Sequence, residues 1–262
     1  MGFRLSIVQQ PLVWENAAAN RAHFTSVLAP LAGGTDLVIL PEMFTTGFTM
    51  RPDRLAEAAD GETRAWLLSQ AQLLDAAVGG TVAVHEEGRY YNRFMLALPG
   101  GPTYWYDKRH LFRMANEQAH YAAGKHRLIV SWKGWRICPL ICYDLRFPVW
   151  SRNRGDYDVL LYVANWPAKR RVAWSALLRA RAIENLCYVV GVNRIGKDGN
   201  GAAYSGDSAA VDFQGQALGG DHGGGDFVET VVLDREALQK FREKFPAHLD
   251  ADDFELRAGS GG

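Results

Sequence analysis

Sulfur is scarce in this chain of 262 residues, which holds only three cysteines, Cys138, Cys142 and Cys187. So few, and an odd number, exclude a disulfide framework and point to a reducing compartment. Charge of one sign is not in excess either. Lysine plus arginine and aspartate plus glutamate both total 29, so the formal net charge is zero. That balance argues against a nucleic-acid binder, which normally carries a basic stripe. No apolar run approaches the roughly 18–20 residues needed to span a bilayer. The opening "MGFRLSIVQQP" lacks the basic region and small-residue cleavage site of a signal peptide, so the expected address is the cytoplasm. No CxxC or HExxH pattern occurs, and His110, His120 and His126 match no standard ligand spacing, so neither a metal nor another cofactor is expected. Internal repeats and Pro-, Gly- or Ser-rich linkers are also missing. The expectation is a single domain over residues 1–255 and a disordered tail over 256–262, which ends "AGSGG".

What is present is a series of short apolar, β-branched runs bounded by turn residues, among them "FRLSIV", "DLVILPE", "TVAVHE", "RICPLICYD", "DVLLYVAN" and "LCYVVGVN". Several are apolar at consecutive positions, as in strands buried on both faces. Three- and four-residue apolar spacing predicts helices over 15–32, 62–78, 170–185 and 235–245. Strands alternating with helices indicate an α/β layered domain.

Cys142 is the residue on which function turns. Taken alone, a free cysteine is most simply a small buried hydrophobe, and Cys138 and Cys187, inside strand-like runs, fit that description. A disulfide between Cys138 and Cys142 is excluded, because four residues of strand span about 13 Å. Cys142 instead stands where a buried strand ends, beside Tyr143 and Asp144, and strand ends in α/β domains are where sites gather. A nucleophilic thiol needs partners that manage its proton. Glu42, just after the strand "DLVIL" and among Leu40, Met43, Phe44 and Phe48, is placed to be a carboxylate of raised pKa. Lys108 follows the aromatic strand "TYWYD"; by itself it reads more readily as part of a solvated basic turn than as a functional group. The segment "GVNRIGKD" nearly matches a phosphate-binding loop. It ends in Asp198 where a hydroxyl is required, and the polar "DGNGAAYSGD" follows, so it reads as a turn.

Taken in order, "LPEMF", "YDKRHLF" and "CYDLRFP" resemble the nitrilase superfamily of carbon–nitrogen hydrolases, over nearly the whole chain. The resemblance implies a four-layer αββα sandwich with Glu42, Lys108 and Cys142 converging at one end of the strands. It also implies a second glutamate between the lysine and the cysteine, here Glu117. "EMFTTGF" and "CYDLRFP" look closest to the omega-amidase branch, which acts on 2-oxoglutaramate and related dicarboxylic acid monoamides. A homodimer or higher homo-oligomer is likewise implied, with the aromatic stretch "RFPVWSRN" as a contact.

The residue types suit amide hydrolysis. Glu42 takes the thiol proton or shares it with Cys142, and Lys108 stabilises developing negative charge. The sulfur attacks the amide carbonyl, and the Tyr143 backbone N–H and the Lys108 ammonium receive the oxyanion. Ammonia leaves, and water releases the acid from a thioester. Glu117 orients Lys108 or the substrate nitrogen. A distant carboxylate on the substrate needs a cation. Arg146 is the first choice, with Lys169, Arg170 and Arg171 as alternatives, and Trp166 and Phe48 as pocket walls. The rivals are an N-carbamoyl acid amidohydrolase or nitrilase on the same fold, a Cys–His hydrolase using His110, and a catalytically silent binding protein.

Overall fold

The computed structural model describes residues 2–220 and 224–256; of the expected tail, residues 257–262 lie outside the described residues. Strands and helices are numbered in chain order. The first sheet holds β1 (Phe3–Gln9), β2 (Leu37–Ile39), β3 (Glu57–Ala58), β4 (Ala77–Glu86), β5 (Arg89–Ala97) and β6 (Thr103–Asp107), with the late strand β15 (Phe227–Leu233) on the outer side of β1. The second holds β7 (Val130–Trp132), β8 (Trp135–Ile141), β9 (Val159–Ala164), β10 (Tyr188–Asn193), β13 (Ala209–Val211) and β14 (Ala217–Gly220). β11 (Ile195–Lys197) and β12 (Ala203–Ser205) form a separate hairpin, so "GVNRIGKD", expected to be a turn, instead holds the end of β10 and all of β11, and the turn follows at 199–200.

Each sheet is centred on three parallel strands, and their neighbours are antiparallel except β3, which pairs parallel with β4. In the first sheet β1, β2 and β4 run parallel; in the second, β8, β9 and β10 do. Parallel pairs need crossovers. They are supplied by α1 (Ala17–Leu28) and α3 (Glu62–Leu74) in the first half, and by the one-turn α4 (Pro148–Ser151) and α5 (Arg171–Asn185) in the second. Another single turn, α2 (Pro52–Leu55), precedes α3, and α6 (Arg235–Lys244) is the last α-helix among the described residues.

The alternation of side chains along the strands sorts them into layers. Leu5, Ile7, Leu37 and Ile39 share one apolar cluster with Ile137, Leu140 and Val159 of the second sheet, and with Trp174, Leu178 and Ala182 of α5. Val8 and Val38, of opposite parity, pack with Phe24 and Leu28 of α1 and Leu67 and Leu74 of α3. The order is therefore helices, sheet, sheet, helices: an αββα sandwich. Helix α3 is shorter than its periodicity predicts. Asp75 takes a left-handed conformation (φ 50°) and its N–H caps Ala71 and Gln72, after which Ala77 is drawn into β4.

Candidate active site

Four connections leave the carboxyl ends of strands on the same side of the sandwich, where parallel sheets present their ligands. They bring Glu42 after β2, Lys108 after β6, Cys142 after β8 and Asn165 after β9 into one cluster. Lys108 is fully buried, and its Nζ donates to Glu42 Oε1 at 2.9 Å and to Glu117 Oε1 and Oε2 at 3.1 and 3.0 Å. Both glutamates are fully buried as well. The second Glu42 oxygen accepts the Asn165 N–H at 2.8 Å, and the second Glu117 oxygen accepts the Phe112 N–H at 2.6 Å. Asn92 of β5 donates through Nδ2 to Glu42 at 2.8 Å and to Glu117 at 3.3 Å. Its carbonyl accepts the Lys108 N–H. Every charged group on this floor thus has several partners, as burial requires.

Cys142 enters on a bent backbone. Its φ is 43°, in the left-handed region that a non-glycine residue seldom occupies, and such strain persists only where the surroundings hold it. Asp144 holds it here. Fully buried, it accepts from the Ile141 N–H at 3.0 Å and Tyr106 Oη at 2.7 Å through one oxygen. Through the other it accepts the His110 N–H at 2.9 Å and meets His110 Nδ1 at 2.8 Å. Glu42, Lys108 and Glu117 all lie near enough to act on the Cys142 thiol. Tyr143 follows in the first turn of the short 3-10 helix Cys142–Arg146, where backbone N–H groups have no partner within the helix.

Burial pushes the Cys142 thiol well above its usual range; the Glu42 and Glu117 charges add to the rise and Lys108 opposes it. Lys108 moves up despite burial, which alone would lower it, because Glu117, Glu42 and Cys142 all favour its charge. Glu117 is pushed up by burial and by Glu42, with Lys108 opposing. These directions favour a neutral thiol beside a protonated Lys108 ammonium.

Cys142 and Lys108 open into a cavity of about 370 Å³ lined by Phe48, Phe112, Tyr143 and Trp166 among others. Phe48 lies 5.0 Å below the Lys108 ammonium. Trp166 is almost wholly buried yet forms part of the wall, fixed through its N–H by Asn193 Oδ1 at 2.8 Å. Arg146, Lys169 and Arg170 line the cavity. Among the described residues none of the three has a carboxylate partner, and Arg146 rests over the Trp166 ring at 5.0 Å. Arg171 does not join them. It pairs with Asp207 at 2.5 Å and faces away along α5, because the helix that begins there turns its side chain out of the loop.

Two further expectations are corrected. His110 is held on Asp144, stacks on Phe147 with centroids 3.8 Å apart and lines a different depression, so a Cys–His pair is not formed. Trp150 is buried and donates to Tyr106 Oη at 3.0 Å, so in "RFPVWSRN" it is Val149 and part of Phe147, not Trp150, that reach the surface. Asn92, Asn165 and Asp144 were not singled out from sequence. The available signal was weak: an asparagine beside Arg93 in the largely apolar strand "YYNRFMLA", which must be satisfied if buried.

Comparison with known proteins places this geometry. The carbon–nitrogen hydrolase family model matches residues 4–243. Omega-amidase YafV of Escherichia coli K12 is 51% identical over 259 residues, covering 97% of this chain and 99% of its own. The 2-oxoglutaramate amidase of Bacillus subtilis is 32% identical over 220 residues, 82% of this chain and 84% of its own. The crystal structure of XC1258 from Xanthomonas campestris is a CN-hydrolase superfamily protein with an arsenic adduct in the active site. It superposes with a TM-score of 0.96 at 50% identity, covering 98% of this chain and 100% of that one.

Proposed function

Because the chain belongs to the carbon–nitrogen hydrolase family, we propose that it is an omega-amidase. In this reading it hydrolyses the terminal amide of small dicarboxylic acid monoamides, of the 2-oxoglutaramate and succinamate type, to acid and ammonia. The observation that carries the reading is the Cys142 thiol beside the buried Glu42–Lys108–Glu117 cluster, at the bottom of a cavity rimmed by cations that have no carboxylate partner among the described residues.

The steps follow from that arrangement. Glu42 accepts the thiol proton as Cys142 Sγ bonds to the amide carbon, so the high thiol pKa is overcome within the pair rather than by solvent. The carbonyl oxygen takes up negative charge near the Lys108 ammonium and the Tyr143 N–H, both fixed before the substrate arrives. Glu42 returns its proton to the nitrogen, the C–N bond breaks and ammonia leaves a thioester. Glu42 then takes a proton from water as the water oxygen attacks the thioester, and returns it to sulfur as the acid departs. Glu117 keeps Lys108 charged and in place, a role supported by its two contacts with Nζ. Arg146, with the cavity walls Phe48 and Trp166, receives the distant carboxylate, and Lys169 adds positive field.

The test compares kcat/KM for 2-oxoglutaramate or succinamate with that for an uncharged amide of equal length. The acid is expected to be preferred, and Arg146→Ala to lose ~2–5 kcal/mol of that preference. A wild type that favours the uncharged amide removes the substrate assignment, and release of carbon dioxide from N-carbamoyl acids would replace it.

The reading includes a homodimer, supported by the apolar side chains Val149, Val172 and Ile183 exposed near α4 and along α5. Light scattering should give about twice the 29.1 kDa chain mass; a monomer across micromolar concentrations ends that part. It also places the enzyme in the cytoplasm, supported by three free cysteines; recovery from an extracytoplasmic fraction would overturn this.

A further inference from the structure

Arg170 hangs across the mouth of the cavity from the short Ala168–Arg170 turn. Its backbone is pinned: the N–H donates to Pro167 O at 2.9 Å, and the carbonyl accepts Trp166 Nε1 at 2.9 Å. The side chain reaches the opposite wall. There Nη2 donates to Met114 Sδ at 2.7 Å, and the guanidinium carbon lies 5.3 Å from the Phe112 ring centre. Among the described residues no carboxylate pairs with it.

Those contacts are poor for a guanidinium. A thioether is a weak acceptor, and a cation over a partly exposed ring gains little. A carboxylate offers two charge-assisted hydrogen bonds in matching geometry and should displace both. Met114 is 70% exposed, an unusual position for a large apolar side chain, and its sulfur contacts the arginine instead of packing in a core.

Resting on the amidase reading, we propose that Arg170 is a second specificity-determining residue beside Arg146. Its guanidinium exchanges Met114 and Phe112 for the distant carboxylate of the substrate, so Met114 competes with the substrate for the same cation. The pinned backbone keeps the pivot fixed, and the exchange needs only side-chain rotation.

The experiment measures kcat and KM for succinamate and for butyramide and follows the ratio of the two kcat/KM values. In Arg170→Gln the ratio should fall about tenfold or more, mainly through the KM for the acid. Arg170→Lys should recover part of it. Met114→Ala should move the ratio the other way, up by ~2–5-fold, since it removes a competitor of modest strength. General damage to the fold cannot produce that rise. Equal losses on both substrates in Arg170→Gln, or an unchanged or lower ratio in Met114→Ala, would overturn the proposal. If the wild type itself favours butyramide, the acid-amide reading fails first. If it favours succinamate and only Arg146→Ala abolishes the preference, the Arg170 assignment alone falls.

Discussion

At one end of the strands a single cation lies between two carboxylates; at the other a single carboxylate lies between two cations. Lys108, Glu42 and Glu117 are all 0% exposed. Asp36, just before β2, meets Arg4 of β1 at 3.3 Å and Lys133 at 2.7 Å, and both cations keep 40% of their side-chain surface in solvent. The Asp36 cluster ties the first sheet to the β7–β8 turn, with Trp132 Nε1 bonded to the Asp36 carbonyl at 2.7 Å. Its charges can find water if a partner is lost. Those of Lys108 and its glutamates cannot. Similar charge counts therefore sit in different settings: a half-exposed staple between sheets in one case, and in the other a buried cluster beside the Cys142 thiol.

The sharpest break of this comparison is made at the buried end. Cys142→Ala should remove turnover, by the order of ~10⁶-fold seen when a nucleophile is deleted, without moving the thermal midpoint by more than a few degrees. Glu42→Gln should also nearly silence the enzyme and slow alkylation of Cys142 by iodoacetamide at neutral pH, because the thiol depends on that carboxylate to lose its proton. Alkylation as fast as in the wild type would show that Glu42 is not its base.

Lys108→Met tests whether the buried cluster also carries stability. It leaves two carboxylates without their cation, and the expected cost is about 3–5 kcal/mol in urea unfolding at neutral pH. Activity should be lost as well. A variant as stable as the wild type would mean that the carboxylates take up protons or water at little cost.

The smallest effect belongs to the other end. Burial would raise the Asp36 pKa, but hydrogen bonds and charge from Arg4 and Lys133 more than offset it and hold the carboxyl at about 2, below its ordinary 3.8. A depressed carboxylate stabilises the fold above its unfolded pKa, and that contribution drains away as pH falls from 3.8 through about 2. Asp36→Asn should therefore cost on the order of 1 kcal/mol at pH 6 after solvent screening. Its denaturation curve should converge on that of the wild type near pH 2, and turnover should be unaffected. A large loss of activity would contradict the division between the two ends.

The local signals reached far into this molecule. The consecutive apolar residues of "DVLLYVAN" and "LCYVVGVN" report strands covered on both faces, and they are the centre of the second sheet. Glu42 and Cys142 were visible because each follows a buried strand directly or within a few residues, whereas Lys108, after the half-exposed β6, stood out only through the resemblance of "YDKRHLF". Asn165, Asn92 and Asp144 were harder to see. Their partners lie 123, 50 and 34 positions away, and an asparagine or aspartate carries no local mark of the group it will bond. The rim shows the same limit. In sequence, Lys169, Arg170 and Arg171 are three equivalent cations; Asp207 neutralises the last of them from a loop 36 residues on.

Strand and helix periods, and the presence of residue types able to act as acid, base and nucleophile at strand ends, were legible in the chain read alone. They depend on side-chain chemistry and on neighbours a few residues apart. Which charges are paired and which remain open to a substrate was decided only by the tertiary structure. Pairing and desolvation depend on distances through space, and two sheets folded face to face bring together residues that the chain keeps far apart.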